Sequence, residues 1–150
     1  MIVVDASVAT KWFLKEEYSE HAIDLLTLEQ KLIGPALVLY EVSGAILRAA
    51  RQDYISFEKA EECRSRLFDV VRQNALRLEH EMADVKRGFE IAMEVTHSLQ
   101  DCIYLALAER YDATLVTADS KFVDKLAGHF ERVVHLKDAV TMQPAAISID

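Results

Sequence analysis

Four acidic side chains stand where an α/β protein can assemble an active site. Asp5 follows the apolar run IVV, and Asp119 follows TLVTA, so two predicted strands each end in an aspartate. Glu41 interrupts the apolar stretch ALVLYEVSGAIL, and Asp101 begins DCIYLALAE. Clustered carboxylates raise each other's pKa values unless a cation lies among them. Oxygen donors without imidazole or thiolate favour Mg²⁺ or Mn²⁺, and such ions typically activate water for phosphodiester hydrolysis.

Each acid also has a purely structural interpretation. Aspartate is a preferred N-cap residue, worth about 1 kcal/mol, and Asp5, Asp101 and Asp119 all precede helical patterns. Capping does not explain Glu41, because it lies within a helical pattern. A buried glutamate usually has a partner, but the next basic residue on this helix, Arg48, is about two turns away.

Two hydroxyl groups and five histidines complete the set of candidates. Ser7 and Thr117 each lie two residues from a candidate aspartate. They are either hydrogen-bond donors to the ligands or to a phosphate, or ordinary hydroxyls at a helix start and a strand end. The histidines show no zinc-site spacing and are predicted to be surface or core residues; they are His21, His80, His97, His129 and His135.

The elements that must position these residues alternate between strand and helix. Short apolar runs predict strands over 2–5, 31–35, 75–79, 113–119 and 132–136. Helical periodicity predicts helices over 6–14, 19–30, 36–51, 56–73, 81–97, 101–110 and 120–128. This alternation predicts an α/β fold with a parallel sheet between helical layers. Ligands of such sheets bind outside the carboxyl ends of the strands, where the strand order reverses.

Length and composition favour one small domain. The 150 residues are predicted to form a single domain, with 137–150 as a C-terminal tail that shows no periodicity. The net charge of -8 argues against sequence-neutral nucleic-acid binding, but a nuclease whose acids bind metal is compatible with it. Cys63 and Cys102 lack disulfide or metal spacing, which indicates reduced thiols and a cytoplasmic protein. No apolar run approaches the roughly 20 residues of a membrane span, and no secretory signal is found.

Three segments resemble a known family. MIVVDASVATKWFL, YEVSGAILRA and SLQDCIYLALAERYDATLVTADSKF are similar to the motifs of PIN-domain ribonucleases, specifically VapC-type toxins of toxin–antitoxin operons. The resemblance extends over roughly residues 1–136, and its most specific part is 101–122. It implies a three-layer α/β/α sandwich, Mg²⁺- or Mn²⁺-dependent endoribonuclease activity, homodimers, and inhibition by a cognate antitoxin protein. The catalytic, metal-binding quartet that it implies is Asp5, Glu41, Asp101 and Asp119.

Two positions depart from the family pattern. Gly44 stands where the family often has asparagine, three residues after the glutamate, and Lys15 stands where proline is common. Neither change removes a ligand. Two alternatives therefore remain open: a catalytically inactive PIN-like binding module, and a phosphoaspartate-type receiver or phosphatase. The second is disfavoured because the first strand ends in DAS, without the acidic pair or the Asp-x-Asp of those proteins.

Some residues outside the quartet are candidates for contacts with RNA or with the antitoxin. Arg48, Arg51 and Lys121 either contact RNA phosphates, with salt-sensitive binding, or are ordinary solvated side chains. Trp12 and Phe13, with the apolar face of helix 19–30, either form a groove for an antitoxin helix or pack in the core.

Overall fold

The computed structural model describes residues 1–142, in which five short strands form one parallel sheet. The strands are β1 (Ile2–Val4), β2 (Leu32–Pro35), β3 (Arg77–Glu79), β4 (Thr114–Thr117) and β5 (Val133–His135). Every residue of β1 and β2 is buried. Continuous apolar strands of this kind are typical of a parallel sheet with both faces covered.

The strand order is β3-β2-β1-β4-β5, with β1 in the centre. The chain moves outward from β1 through β2 to β3 and then crosses to β4 on the other side of β1. Val4 of β1 is in register with Val116 of β4, so Asp5 follows one strand at the level where Thr117 ends the other. The order reverses between β1 and β4, and the crevice beyond their carboxyl ends is the expected ligand site.

Helices cover both faces of the sheet, which gives the three-layer α/β/α sandwich that the sequence predicts. They are α1 (Ala6–Ala9), α2 (Ser19–Leu25), α3 (Leu37–Arg51), α4 (Phe57–Arg72), α5 (Met82–Val95), α6 (Leu99–Arg110) and α7 (Ser120–Leu126). Two short 3₁₀ helices span Thr10–Trp12 and Leu136–Met142. Within the part of the chain that is described, no helix is long and apolar enough to cross a membrane.

Several predicted element bounds are wrong. Helix 6–14 divides into α1 and a 3₁₀ turn, and helix 19–30 ends at Leu25. The predicted strand 31–35 is β2, which begins at Leu32, and its Gly34 and Pro35 pair with β3. The predicted tail begins with 3₁₀ structure, and its residues 143–150 lie outside the described part of the chain.

Helix α6 forms the centre of the core. Its residues Cys102 and 104–108 are all buried, because this helix packs against the sheet on one side and α5 on the other. The two helices approach closely at Gly88, where an added Cβ would lie 3.0 Å from the backbone nitrogen of Ile103. This packing fixes the first turn of α6, which carries Asp101.

Trp12 and Phe13 are core residues. Both are buried, and the indole Nε1 of Trp12 donates a hydrogen bond to the carbonyl oxygen of Ala22 at 2.8 Å. Of the two interpretations of these aromatic residues, core packing is the one that the structure supports.

Candidate active site

Asp5 lies buried at the carboxyl end of the central strand. Its Oδ2 accepts hydrogen bonds from Ser7 Oγ at 2.5 Å and from Thr117 Oγ1 at 2.8 Å. Asp5 occupies the N-cap position of α1, but its side chain makes no capping hydrogen bond. Burial raises the pKa of this carboxyl group, whereas the hydrogen bonds from the two hydroxyls lower it. The side chain is thus held between a hydroxyl of α1 and a hydroxyl at the end of β4.

The two predicted hydroxyl residues join the ends of β1 and β4. Ser7 Oγ accepts a hydrogen bond from the backbone nitrogen of Ala118 at 3.0 Å. Thr117 Oγ1 accepts one from the backbone nitrogen of Asp119 at 3.1 Å. Each hydroxyl thus donates to Asp5 and accepts from the segment that leads into Asp119, which fixes the two aspartates relative to each other.

Asp119 is the N-cap residue of α7. Its Oδ1 accepts a hydrogen bond from the backbone nitrogen of Phe122 at 3.1 Å. The structural interpretation is correct for this residue, but it does not exclude a second role. The cap uses one carboxylate oxygen, and an ionised carboxylate has two.

Asp101 does not begin its helix, in contrast to the prediction. The cap of α6 is Ser98, whose Oγ accepts a hydrogen bond from the backbone nitrogen of Asp101 at 3.2 Å. Asp101 therefore lies in the first helical turn, and its side chain is not used as a cap. Its Oδ2 lies 2.7 Å from Nε2 of His97, and ligand atoms of His97, Asp101 and Asp119 all lie within 4.8 Å of one another.

Glu41 extends from α3, the helix that follows β2. Its Oε1 is buried and has no hydrogen-bond partner among the described residues. Burial, with a smaller contribution from the negative charges of Asp5 and Asp101, raises the pKa of this carboxyl to about 7. Three of the predicted acids are therefore close enough to repel one another, and Asp101 links them to Asp119.

This cluster fits a hard divalent cation. A buried carboxylate oxygen without a partner is costly, and like charges at one place raise that cost. Carboxylate oxygens are the donors that Mg²⁺ and Mn²⁺ prefer. A cation there would satisfy the oxygen of Glu41 and offset the repulsion among the acids.

Two residues at the cluster were missed in the sequence interpretation. His97 was predicted to be a surface or core histidine, yet it contacts Asp101 and lies four residues before it in the chain. That spacing was the available signal. Tyr104 was not considered in the sequence analysis, and both its ring and its hydroxyl are buried. The pKa of that hydroxyl is raised by burial and by the charges of Asp5 and Glu41.

An open groove runs beside the cluster. Ser7, Glu41, Gly44 and Arg48 are among the residues that line it. Gly44 is exposed, and an added Cβ there would meet nothing within 4 Å, so the departure from the family pattern leaves open space beside Glu41. Arg48 is the predicted basic residue that lies on this groove.

The other two basic candidates are not among the residues that line this groove. Arg51 is the last residue of α3, and Lys121 is the second residue of α7. Both are solvent-exposed, so neither is held in place by packing.

Comparison with known proteins identifies relatives at both the sequence and the structure level. The PIN domain family matches residues 2–127. Ribonuclease VapC3 of Pyrobaculum aerophilum is 30% identical to this chain over 125 residues, which are 83% of this chain and 93% of the relative.

Solved structures share the same fold at lower sequence identity. PAE2754 from Pyrobaculum aerophilum superposes with a TM-score of 0.71 at 18% identity, covering 93% of each chain. A toxin–antitoxin complex from Klebsiella pneumoniae superposes with a TM-score of 0.65 at 16% identity, covering 91% of this chain and 98% of the matched chain. VapC20 of Mycobacterium tuberculosis is a toxin that cleaves the sarcin-ricin loop. Its structure superposes with a TM-score of 0.62 at 19% identity, covering 89% of this chain and 98% of VapC20.

Proposed function

The chain belongs to the PIN-domain family and is a relative of the VapC ribonucleases, and on that premise we propose that it is a metal-dependent endoribonuclease, the toxin of a toxin–antitoxin pair. It hydrolyses RNA phosphodiester bonds at the carboxyl edge of the sheet. The observation that carries the proposal is the buried Oε1 of Glu41, which has no hydrogen-bond partner among residues 1–142 and lies within a group of mutually repelling acids.

We assign the catalytic, metal-binding role to Asp5, Glu41, Asp101 and Asp119, with Mg²⁺ or Mn²⁺ as the ion. When bound, such an ion lowers the pKa of a coordinated water and offsets the charge that develops on the scissile phosphate. A protein nucleophile is not needed for this chemistry.

The remaining side chains of the site hold these ligands in place. Ser7 and Thr117 fix the Asp5 carboxylate through its Oδ2. The cap bond to Phe122 restricts Asp119 to one orientation. Arg48 lies on the groove beside Glu41, where its guanidinium can contact an RNA phosphate.

The test is cleavage of labelled RNA by the purified chain. Asp5→Asn keeps the shape of the side chain and removes its charge. We expect a rate loss of at least about a hundredfold, since metal-dependent stabilisation of the transition state is worth several kcal/mol. Asp24→Asn, a change of an exposed aspartate on α2, is the matched control and should cleave at the wild-type rate.

Two results would contradict the nuclease proposal. The first is an Asp5→Asn variant that cleaves as fast as the wild type. The second is a folded wild type that cleaves no RNA in millimolar Mg²⁺ or Mn²⁺, which would favour the inactive binding module. Circular dichroism of both variants separates loss of activity from loss of fold.

We also propose a cognate antitoxin as the protein partner. The support is the structural neighbour that was solved as a toxin–antitoxin complex. Co-expression with the protein from the adjacent gene should suppress RNA cleavage, and an uninhibited nuclease would contradict this partner. RNA as the substrate and two buried, unpaired cysteines are consistent with action in the reducing cytoplasm.

We also propose that two copies of the chain form a homodimer. Helix α5 exposes Met82, Val85, Phe89 and Met93, with between 45% and 84% of each side chain accessible. Their spacing places them on one helical face. An antiparallel pairing of two copies about a two-fold axis sets Met82 opposite Met93 and Val85 opposite Phe89, so the stripe is self-complementary.

Light scattering after size-exclusion chromatography tests this dimer. Phe89→Glu should shift the mass from dimer to monomer, because it buries a charge in the apolar contact. Ile23→Glu, at an exposed apolar residue of α2, is the control. A dimer that survives Phe89→Glu would exclude the α5 face as the interface.

A further inference from the structure

His97 is held against the proposed metal cluster by two independent contacts. Its Nε2 lies 2.7 Å from Oδ2 of Asp101. Its ring stacks on Phe122, with 4.5 Å between centroids and 19° between planes. Only 15% of the His97 side chain is accessible, so the imidazole has little freedom to turn away.

The same contacts link His97 to both sides of the cluster. Phe122 lies one turn into α7, and its backbone nitrogen is the donor that fixes Asp119. Asp101 lies in the first turn of α6. Ligand atoms of His97, Asp101 and Asp119 lie within 4.8 Å of one another, which is close enough for one ion to contact all three. No other group of this kind is found among residues 1–142.

The addition of a nitrogen donor changes which ions the site prefers. Mg²⁺ is held by oxygen ligands and loses its water reluctantly. Imidazole suits transition ions such as Fe²⁺, Ni²⁺, Cu²⁺ and Zn²⁺. Mn²⁺ also accepts oxygen ligands, but it takes a nitrogen donor more readily than Mg²⁺ does. A site made only of carboxylates distinguishes weakly between Mg²⁺ and transition ions, whereas a site with one imidazole favours the transition ions.

We propose that His97 is a nitrogen ligand of the ion in the proposed nuclease site and shifts its preference from Mg²⁺ towards Mn²⁺ and other transition ions. The inference rests on the proposed function, since it adds a fifth donor to the same four carboxylates. The alternative is that His97 only orients Asp101 by a hydrogen bond. An orienting residue would support every ion equally, so selectivity separates the two roles.

The test compares Mg²⁺ and Mn²⁺ binding to the purified, metal-stripped full chain by calorimetry. His97→Gln keeps a hydrogen-bond donor for Asp101 but removes the imidazole, and His97→Leu removes both. We expect His97→Gln to lower Mn²⁺ affinity about tenfold or more while Mg²⁺ affinity changes less than about threefold. His129→Gln, a change of an exposed histidine, is the control and should alter neither affinity.

A spectroscopic measurement detects the bond itself. Pulsed electron paramagnetic resonance of the Mn²⁺-loaded wild type should show the modulation of a directly bound ¹⁴N nucleus. That modulation should disappear in both His97 variants and persist in His129→Gln. A wild type with bound Mn²⁺ and no ¹⁴N modulation would overturn the inference, as would equal losses of Mg²⁺ and Mn²⁺ affinity in His97→Gln.

The failure of this inference differs from a failure of the proposed function. If the folded wild type binds neither ion, the nuclease site itself is wrong, and His97 has no ion to select. If it binds both ions and cleaves RNA, but His97→Gln leaves the Mn²⁺ to Mg²⁺ affinity ratio unchanged, only the role of His97 is wrong.

Discussion

Glu41 makes the metal-free protein less stable as the pH rises. Its carboxyl has a pKa of about 7 in the folded chain, against an ordinary value of 4.5. Between these values the folded state binds more protons than the unfolded state, so the free energy of unfolding falls with rising pH. The stability that comes from keeping Glu41 protonated is fully present below about pH 4.5, and it is lost as the pH rises through about 7.

The size of the effect follows from the shift. A rise from 4.5 to about 7 corresponds to roughly 3 kcal/mol at about 1.4 kcal/mol for each pKa unit. The side chain is only partly buried, so solvent screening reduces this to about 1–2 kcal/mol. For a domain of this size, 1 kcal/mol shifts the melting temperature by about 2–4 °C. Glu41→Gln should therefore melt about 2–8 °C above the wild type at pH 8 in chelator.

Thermal unfolding at pH 5.5 and pH 8 in a chelator provides the assay. The advantage of Glu41→Gln over the wild type should be smaller at pH 5.5, where the wild-type carboxyl is largely protonated. Added Mn²⁺ should reverse the order at pH 8, because the ion stabilises the folded state of the wild type that retains all its ligands. Glu29→Gln, in the exposed turn before β2, should behave as the wild type throughout.

Two outcomes would refute the reasoning about Glu41. If Glu41→Gln melts below the wild type at pH 8 in chelator, the carboxylate stabilises the metal-free fold and is not an uncompensated charge. If the difference between the two proteins is the same at both pH values, the carboxyl does not titrate in this range.

Two further substitutions test the contacts around the site and the core. Thr117→Val removes a hydroxyl donor from buried Asp5 and should cost about 1–3 kcal/mol in urea unfolding; an unchanged midpoint would contradict the hydrogen bond. Arg110→Met leaves the buried carboxylate of Asp84 without the guanidinium that lies 2.8 Å from it, and should cost about 3 kcal/mol. Arg64→Met, which breaks an exposed ion pair, should leave the urea midpoint close to that of the wild type.

The fold could be predicted because local patterns and global topology agree. The strands β1 and β2 are buried throughout, so they appear in the sequence as runs without polar alternation. Element ends were predicted less well. Asp101 was taken as the first residue of α6, since aspartate is a good cap. Ser98 is as good a cap and lies three residues earlier, and the sequence alone does not rank the two.

The sequence identified the acidic residues of the site, but it predicted less well how the site is arranged in space. The four acids were identified because three lie next to predicted strand or helix ends and Glu41 interrupts an apolar stretch. The one sequence signal for His97 was its position four residues before Asp101. What the sequence did not show is that α7 brings Phe122 against its ring. That contact joins residues far apart in the chain, and it exists only once β4 lies beside β1.

The chain crosses from β3 to β4, and this crossing explains why the acidic side chains that are costly to bury lie close together. It brings Thr117 and Asp119 beside Asp5, and the same crossing sets α6 with Asp101 against β1. The hydroxyls of Ser7 and Thr117 offset part of the burial of Asp5, but no comparable donor reaches Oε1 of Glu41 among the described residues. A fold selected only for stability would place an apolar residue or a hydrogen-bond donor at that position. This oxygen is the reason for proposing a bound ion at the site, and the rise in melting temperature expected on adding Mn²⁺ would measure how much stability the ion contributes.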